Sequence, residues 1–208
     1  MCNYVSLLST SQELEEYFEA SYEGLPYHMG YRINGFANPM LPIISDKDPK
    51  IITSAQWGII PEWGRNRDFQ KRTLNARIET LETVRSYRDS VNKRALVLVN
   101  SFFEWQWLDP SGKQKQPYSI QLENAPLFAL GALYSDWKDP STQETTTTFS
   151  IVTTDANPLM AQIHNTKKRM PLVLDSTAAE KWLSEEELKE FAFPHYDPKL
   201  EAKKASFD

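Results

Sequence analysis

The sequence predicts an α+β fold in which a curled, mainly antiparallel β-sheet or barrel-like core carries a few peripheral helices. Three observations lead there. Short β-branched or aromatic runs (YRINGFA, KIITSAQWGII, ALVLVNSFFEW, YSIQL, LFALGAL and TTTTFSIVTT) recur between clusters of Pro, Gly, Asn and Asp. Several of these runs lack clean polar alternation, which implies burial on both faces, as in a closed or strongly curled sheet. Segments with helical spacing are few and short.

Taken in chain order, TSQELEEYFEA comes first. Thr10 and Glu13 have the spacing of a capping box, and Leu14, Tyr17 and Phe18 form one apolar face, so this is a helix packed on the body. The strand runs follow, with residues 38–50, 61–72 and 136–147 expected as mobile rims. DANPLMAQIHN predicts a short helix capped by Asp155 or Asn157. STAAEKWL and SEEELKEF repeat the capping pattern before a Lys- and Glu-rich tail. With 208 residues, 40% of them hydrophobic, the chain is expected to form one domain over 1–208, with 186–208 as a C-terminal helix and charged tail.

Composition excludes several function classes. A lone cysteine rules out an intrachain disulfide, and no charged segment followed by an apolar stretch opens the chain, so a cytoplasmic setting is expected. The longest apolar runs, such as ALVLV, are too short to span a bilayer. Three histidines and one cysteine show no metal-ligand spacing, so neither metal nor cofactor is expected. The net charge of −5 argues against a nucleic-acid partner until its distribution is read. From Arg65 to Arg94, nine basic residues face four acidic ones, a local charge of +5, while acid collects near both ends of the chain.

Four stretches place reactive groups within apolar text. Cys2 directly follows the initiator Met1; removal of Met1 would put a free α-amine beside the only thiol. Glu104 ends a strongly apolar strand between Phe103 and Trp105, where desolvation favours a raised carboxyl pKa and general acid–base use. Asn75 and Arg77 alternate along an extended segment and share a face, suiting joint binding of an anion or carbonyl. His164 follows the short helix and precedes a basic turn containing Arg169. Trp57 is expected in the core, whereas Trp63, between Pro61 and the basic run, sits on a rim.

Together these residues resemble the SOS-response-associated peptidase family, known also for shielding abasic sites in single-stranded DNA. The likeness rests on Met1-Cys2, Trp57-Gly58-Ile59-Ile60-Pro61-Glu62-Trp63, Asn75-Ala76-Arg77-Ile78-Glu79, Phe103-Glu104-Trp105, and His164 with Arg169-Met170-Pro171, in register from residue 1 to about 185. Asn3-Tyr4 stand where the family commonly has Gly-Arg. The resemblance implies covalent capture of abasic sites as a thiazolidine on an N-terminal Cys2, with Asn75, Glu104 and His164 as catalytic partners and a peptidase-like activity that would remove Met1. It also implies single-stranded DNA as partner; Arg77 and Arg169 and, from the basic run, Arg65, Arg67 and Arg72 are then expected to contact it, with Trp63, Pro39 and Met40 on the predicted rims stacking or wedging against bases. A monomer in the cytoplasm, nucleoid-associated when bound, is expected. Two other classes stay open at this level: a thiol hydrolase using Cys2, His164 and Glu104 or Asn75, and a non-covalent single-strand binder in which Cys2 is incidental.

Overall fold

In the computed structural model, which describes residues 2–184 and 186–207, five strands close into a barrel. Met40–Ser45, Asp48–Trp57, Arg94–Val99, Phe128–Lys138 and Thr145–Asp155 pair antiparallel in the ring, which is sealed where Gln56 and Trp57 run parallel to Thr148 and Phe149. Closure explains the unalternating runs: all six residues of Arg94–Val99 are buried. Inside, the rings of Trp57 and Phe149 stack with centroids 6.0 Å apart, and the Trp57 indole donates to the Leu74 carbonyl at 2.9 Å. Trp57 is fully buried, as expected of a core residue.

Beyond the seam, Thr145–Asp155 continues past its barrel neighbours. Its two exposed edges are taken by Asn75–Arg77, parallel, and Arg169–Pro171, antiparallel. A second sheet of five strands, in the order Leu200–Lys204, Lys115–Leu122, Ser101–Trp107, Tyr4–Leu7 and Gly30–Asn34, lies beside the barrel.

Helices are peripheral, and their caps follow the sequence. Thr10 Oγ1 accepts from the Glu13 amide at 3.3 Å while Glu13 accepts from the Thr10 amide at 2.7 Å, completing the capping box of Ser11–Phe18. Asn157, not Asp155, caps Pro158–Ile163, and Asp175 caps Ser176–Leu183. Trp182 from that last helix is buried across the barrel and donates to the Ala95 carbonyl at 3.1 Å. Among the described residues, no helix is long and apolar enough to cross a membrane.

Three sequence expectations change. Residues 38–50 are no rim: they hold most of a barrel hairpin, because MLPII supplies five consecutive residues that the closed sheet buries or half-buries. Residues 136–147 shrink to the turn between two long paired strands. SEEELKEF yields a single turn of 3₁₀ helix at Leu188–Phe191, with Glu185 outside the described residues, and part of the charged tail is a strand, Leu200–Lys204, paired with Lys115–Leu122. In LEAKK, Leu200 and Ala202 pack on the core while Lys203 and Lys204 face solvent, so the charges that read as a tail instead guard a sheet edge.

Candidate active site

Because Tyr4–Leu7 lies between Ser101–Trp107 and Gly30–Asn34, with Val5 opposite both Phe102 and Ile33, the residues preceding it run back toward Glu104. Asn3 is held twice. Its carbonyl accepts from the Gly35 amide at 2.9 Å, and its Oδ1 accepts from Asn75 Nδ2 at 3.1 Å. Gly35 is required here, since a Cβ would approach Trp57 to 2.9 Å and the Asn3 carbonyl to 3.1 Å. Cys2 is fully buried, its thiol 3.9 Å from the Tyr4 carbonyl. Burial pushes the thiol far above its ordinary pKa, and the negative charge of Glu104 adds to that. At neutral pH the sulfur therefore keeps its proton.

Glu104 is 4% exposed, and its Oε2 lies 4.0 Å from His164 Nε2. The other imidazole nitrogen, Nδ1, is 2.8 Å from the Arg169 carbonyl. Burial lowers the His164 pKa, with Glu104 opposing in part, so the ring stays neutral at pH 7. Asn75 Oδ1 is buried without a hydrogen-bond partner among the described residues, an acceptor for an amine or hydroxyl entering the site. The structure thus gathers Cys2, Asn75, Glu104 and His164 around the start of the chain, although they are distributed over some 160 positions of the sequence.

The expected DNA-facing residues divide. Arg77 is exposed on the strand that presents Asn75. Trp63 is 39% exposed, packed edge-on against Phe69 and under the Arg85 guanidinium. Arg65, Arg67 and Arg72 are exposed, with Arg67 donating to Gln56 Oε1 at 2.8 Å. Two expectations need correction. Pro39 is buried and Met40, half-buried, begins a barrel strand, so neither projects as a wedge; the neighbouring exposed aromatic is Phe36, on the turn closed against Asn3. Arg169 is 6% exposed and committed internally, bound to Glu79, Asp155 and Thr153, so it has no phosphate-facing edge.

The basic segment is also less basic on its surface: Arg94 is buried and donates to the Trp182 and Glu186 carbonyls, and Lys93 pairs with Glu62. Sequence reasoning missed Asn3 as part of the candidate site. The signal was the NGFANP turn, whose Gly and Asn residues bend the chain back so that the Gly35 amide meets the Asn3 carbonyl.

Residues 1–206 match a family model described as SOS response associated peptidase. The chain is 35% identical over 188 residues to the abasic site processing protein YoqW of Bacillus subtilis (strain 168), covering 88% of this chain and 80% of that protein. It is 30% identical over 162 residues to the abasic site processing protein HMCES of Xenopus tropicalis, where the match covers 67% of this chain and 47% of the relative. A crystal structure of a protein from Bacteroides thetaiotaomicron superposes with a TM-score of 0.89 at 30% identity, covering 99% of this chain and 92% of that one.

Proposed function

The chain belongs to the SOS response associated peptidase family, and from that premise we propose that it processes abasic sites in single-stranded DNA, capturing them covalently through Cys2. The relatives that carry the name abasic site processing protein support the substrate class. The observation that carries the mechanism is the seating of the chain start against a buried carboxylate that is itself 4.0 Å from a neutral histidine.

Each step has a group available. Removal of Met1 frees the Cys2 amine. That amine adds to the aldehyde of the open abasic sugar, and the carbinolamine loses water to give an imine. Loss of water needs a proton at the departing oxygen, which Glu104 or His164 can shuttle. The thiol, held neutral until then, gives its proton to the Glu104 carboxylate as sulfur bonds to the imine carbon and nitrogen takes up a proton. The product is a thiazolidine, and the whole reaction releases one water. Asn75 Oδ1 can hold the amine or a sugar hydroxyl meanwhile.

Intact mass tests this directly. Mixed with an abasic oligonucleotide and denatured, the protein should shift by the oligonucleotide mass less one water, starting from a species without Met1. An oligonucleotide whose abasic aldehyde has been reduced to the alcohol should give no shift. If the unreduced oligonucleotide also gives none, covalent capture is wrong.

DNA engagement is expected to be electrostatic and to run through the exposed Arg65, Arg72 and Arg77. Charge reversal at any one of them should weaken binding to all single-stranded sequences alike. It should also lower the slope of log affinity against log salt by about 0.7 for each phosphate that is no longer neutralised. Titrations at several salt concentrations check this, and an unchanged slope for all three variants would place the strand elsewhere.

A further inference from the structure

The clamp on Arg169 connects to the site through one atom. Its guanidinium binds Glu79 through two hydrogen bonds, Nη1 to Oε1 at 2.8 Å and Nη2 to Oε2 at 2.9 Å. It also reaches Asp155 Oδ1 at 2.7 Å and the Thr153 carbonyl at 2.7 Å. Its backbone carbonyl, at the other end of the residue, lies 2.8 Å from His164 Nδ1. The Arg169 amide lies 3.4 Å from the same Nδ1, but the 2.8 Å contact is the shorter and its oxygen can only accept, so the ring proton is assigned to Nδ1 and the lone pair to Nε2, the nitrogen 4.0 Å from Glu104.

The turn that brings this carbonyl back to the ring is not relaxed. Lys168 has φ of 48°, left-handed for a residue with a Cβ, and its amide donates to the His164 carbonyl at 2.9 Å. Such a conformation persists only where surrounding contacts impose it. Here the surrounding contacts are the Arg169 clamp, together with Asn165, whose side chain bonds both the amide and the carbonyl of Trp107 at 3.1 and 2.9 Å. Glu79 belongs to the short segment that also presents Asn75, so one piece of chain touches both the nucleophile's neighbour and the histidine's anchor.

We propose that Glu79 is a positioning residue for the reaction: by clamping Arg169 it fixes the Arg169 carbonyl on His164 Nδ1 and so selects the imidazole tautomer whose Nε2 lone pair faces Glu104. The inference takes the role of His164 from the proposed function, but its first test needs no DNA.

Nitrogen-15 spectra of histidine-labelled protein, assigned with His164→Gln, report the tautomer. The wild type should show the proton on Nδ1 at pH 7.5. Glu79→Ala should bring a substantial Nε2-protonated population, and Glu79→Gln, which keeps the shape and one acceptor, should fall between. Adduct formation in Glu79→Ala should slow about tenfold, with affinity for an oligonucleotide carrying an unreactive tetrahydrofuran abasic analogue within about twofold of wild type, because Glu79 touches no DNA in this reading.

Asp155→Asn removes one arm of the clamp at a largely exposed side chain and should shift the spectrum in the same direction by less, which keeps the test decisive should Glu79→Ala unfold. A wild-type ring protonated on Nε2, or clamp variants that fold and leave the tautomer unchanged, would overturn the proposal. A wild type with the expected tautomer but no adduct would instead refute the proposed function.

Discussion

A form of the protein whose N-terminus stays blocked ahead of Cys2 will form no heat-stable adduct with abasic single-stranded DNA, and neither will Cys2→Ala. The reason is the valence of the product. A thiazolidine needs an amine and a thiol on one residue, and an acylated nitrogen cannot form the imine that precedes ring closure. A cysteine hydrolase needs only its thiolate, whose reactivity depends on pKa and access. This thiol is poorly set up for that work, being buried and held protonated by burial and by Glu104. Cys2→Ser separates the steps: it keeps the amine and nearly the same volume, so at most it gives a labile imine that borohydride can trap. A denaturing gel of the three variants with an abasic oligonucleotide is the measurement. Should the blocked protein crosslink through its sulfur and survive heating, a plain cysteine nucleophile would replace the aminothiol.

The second large effect is expected at Glu104. Glu104→Gln keeps the volume and a hydrogen-bonding end but cannot accept a proton, so adduct formation should slow by about 10²–10⁴-fold, the usual contribution of a positioned acid–base group. Thermal melting should move little. A second readout runs the opposite way. The Glu104 carboxylate is one cause of the raised thiol pKa, so neutralising it moves the Cys2 thiol down toward its ordinary value and increases the thiolate present at a given pH. Alkylation of Cys2 by a small reagent should therefore speed up in the variant whose adduct formation slows. Both rates falling together would mean that Glu104 acts chiefly as the base that takes the thiol proton, and wild-type adduct kinetics would remove Glu104 from the mechanism.

Much of the site is legible in the sequence because its chemistry depends on residue type and immediate neighbours. A cysteine placed directly after Met1 would carry its own amine once Met1 is removed, and Phe103 and Trp105 announce that Glu104 is desolvated. The Thr10–Glu13 box works over three residues, and alternation along Asn75-Ala76-Arg77 is enough to put two polar groups on one face. The closed sheet is legible in the same way, through strand runs without polar alternation.

Whether a polar or basic residue is available to a ligand depends instead on partners far along the chain. Arg169 resembles a phosphate contact in sequence, yet Glu79, 90 positions earlier, takes both ends of its guanidinium. Arg94, within the most basic stretch, is turned inward to carbonyls 88 and 92 residues away. Pro39 and Met40 read as a rim until barrel closure buries or half-buries them, and the Lys- and Glu-rich end reads as a tail until Lys115–Leu122 offers it an edge to pair with. The sequence by itself determined the candidate reactive groups, the Thr10–Glu13 capping box and the strand-rich class, since these arise from consecutive residues. Only the tertiary structure decided which charges remain available at the surface, because a hydrogen-bond donor is satisfied by whatever acceptor the fold brings within about 3 Å, at any distance along the chain.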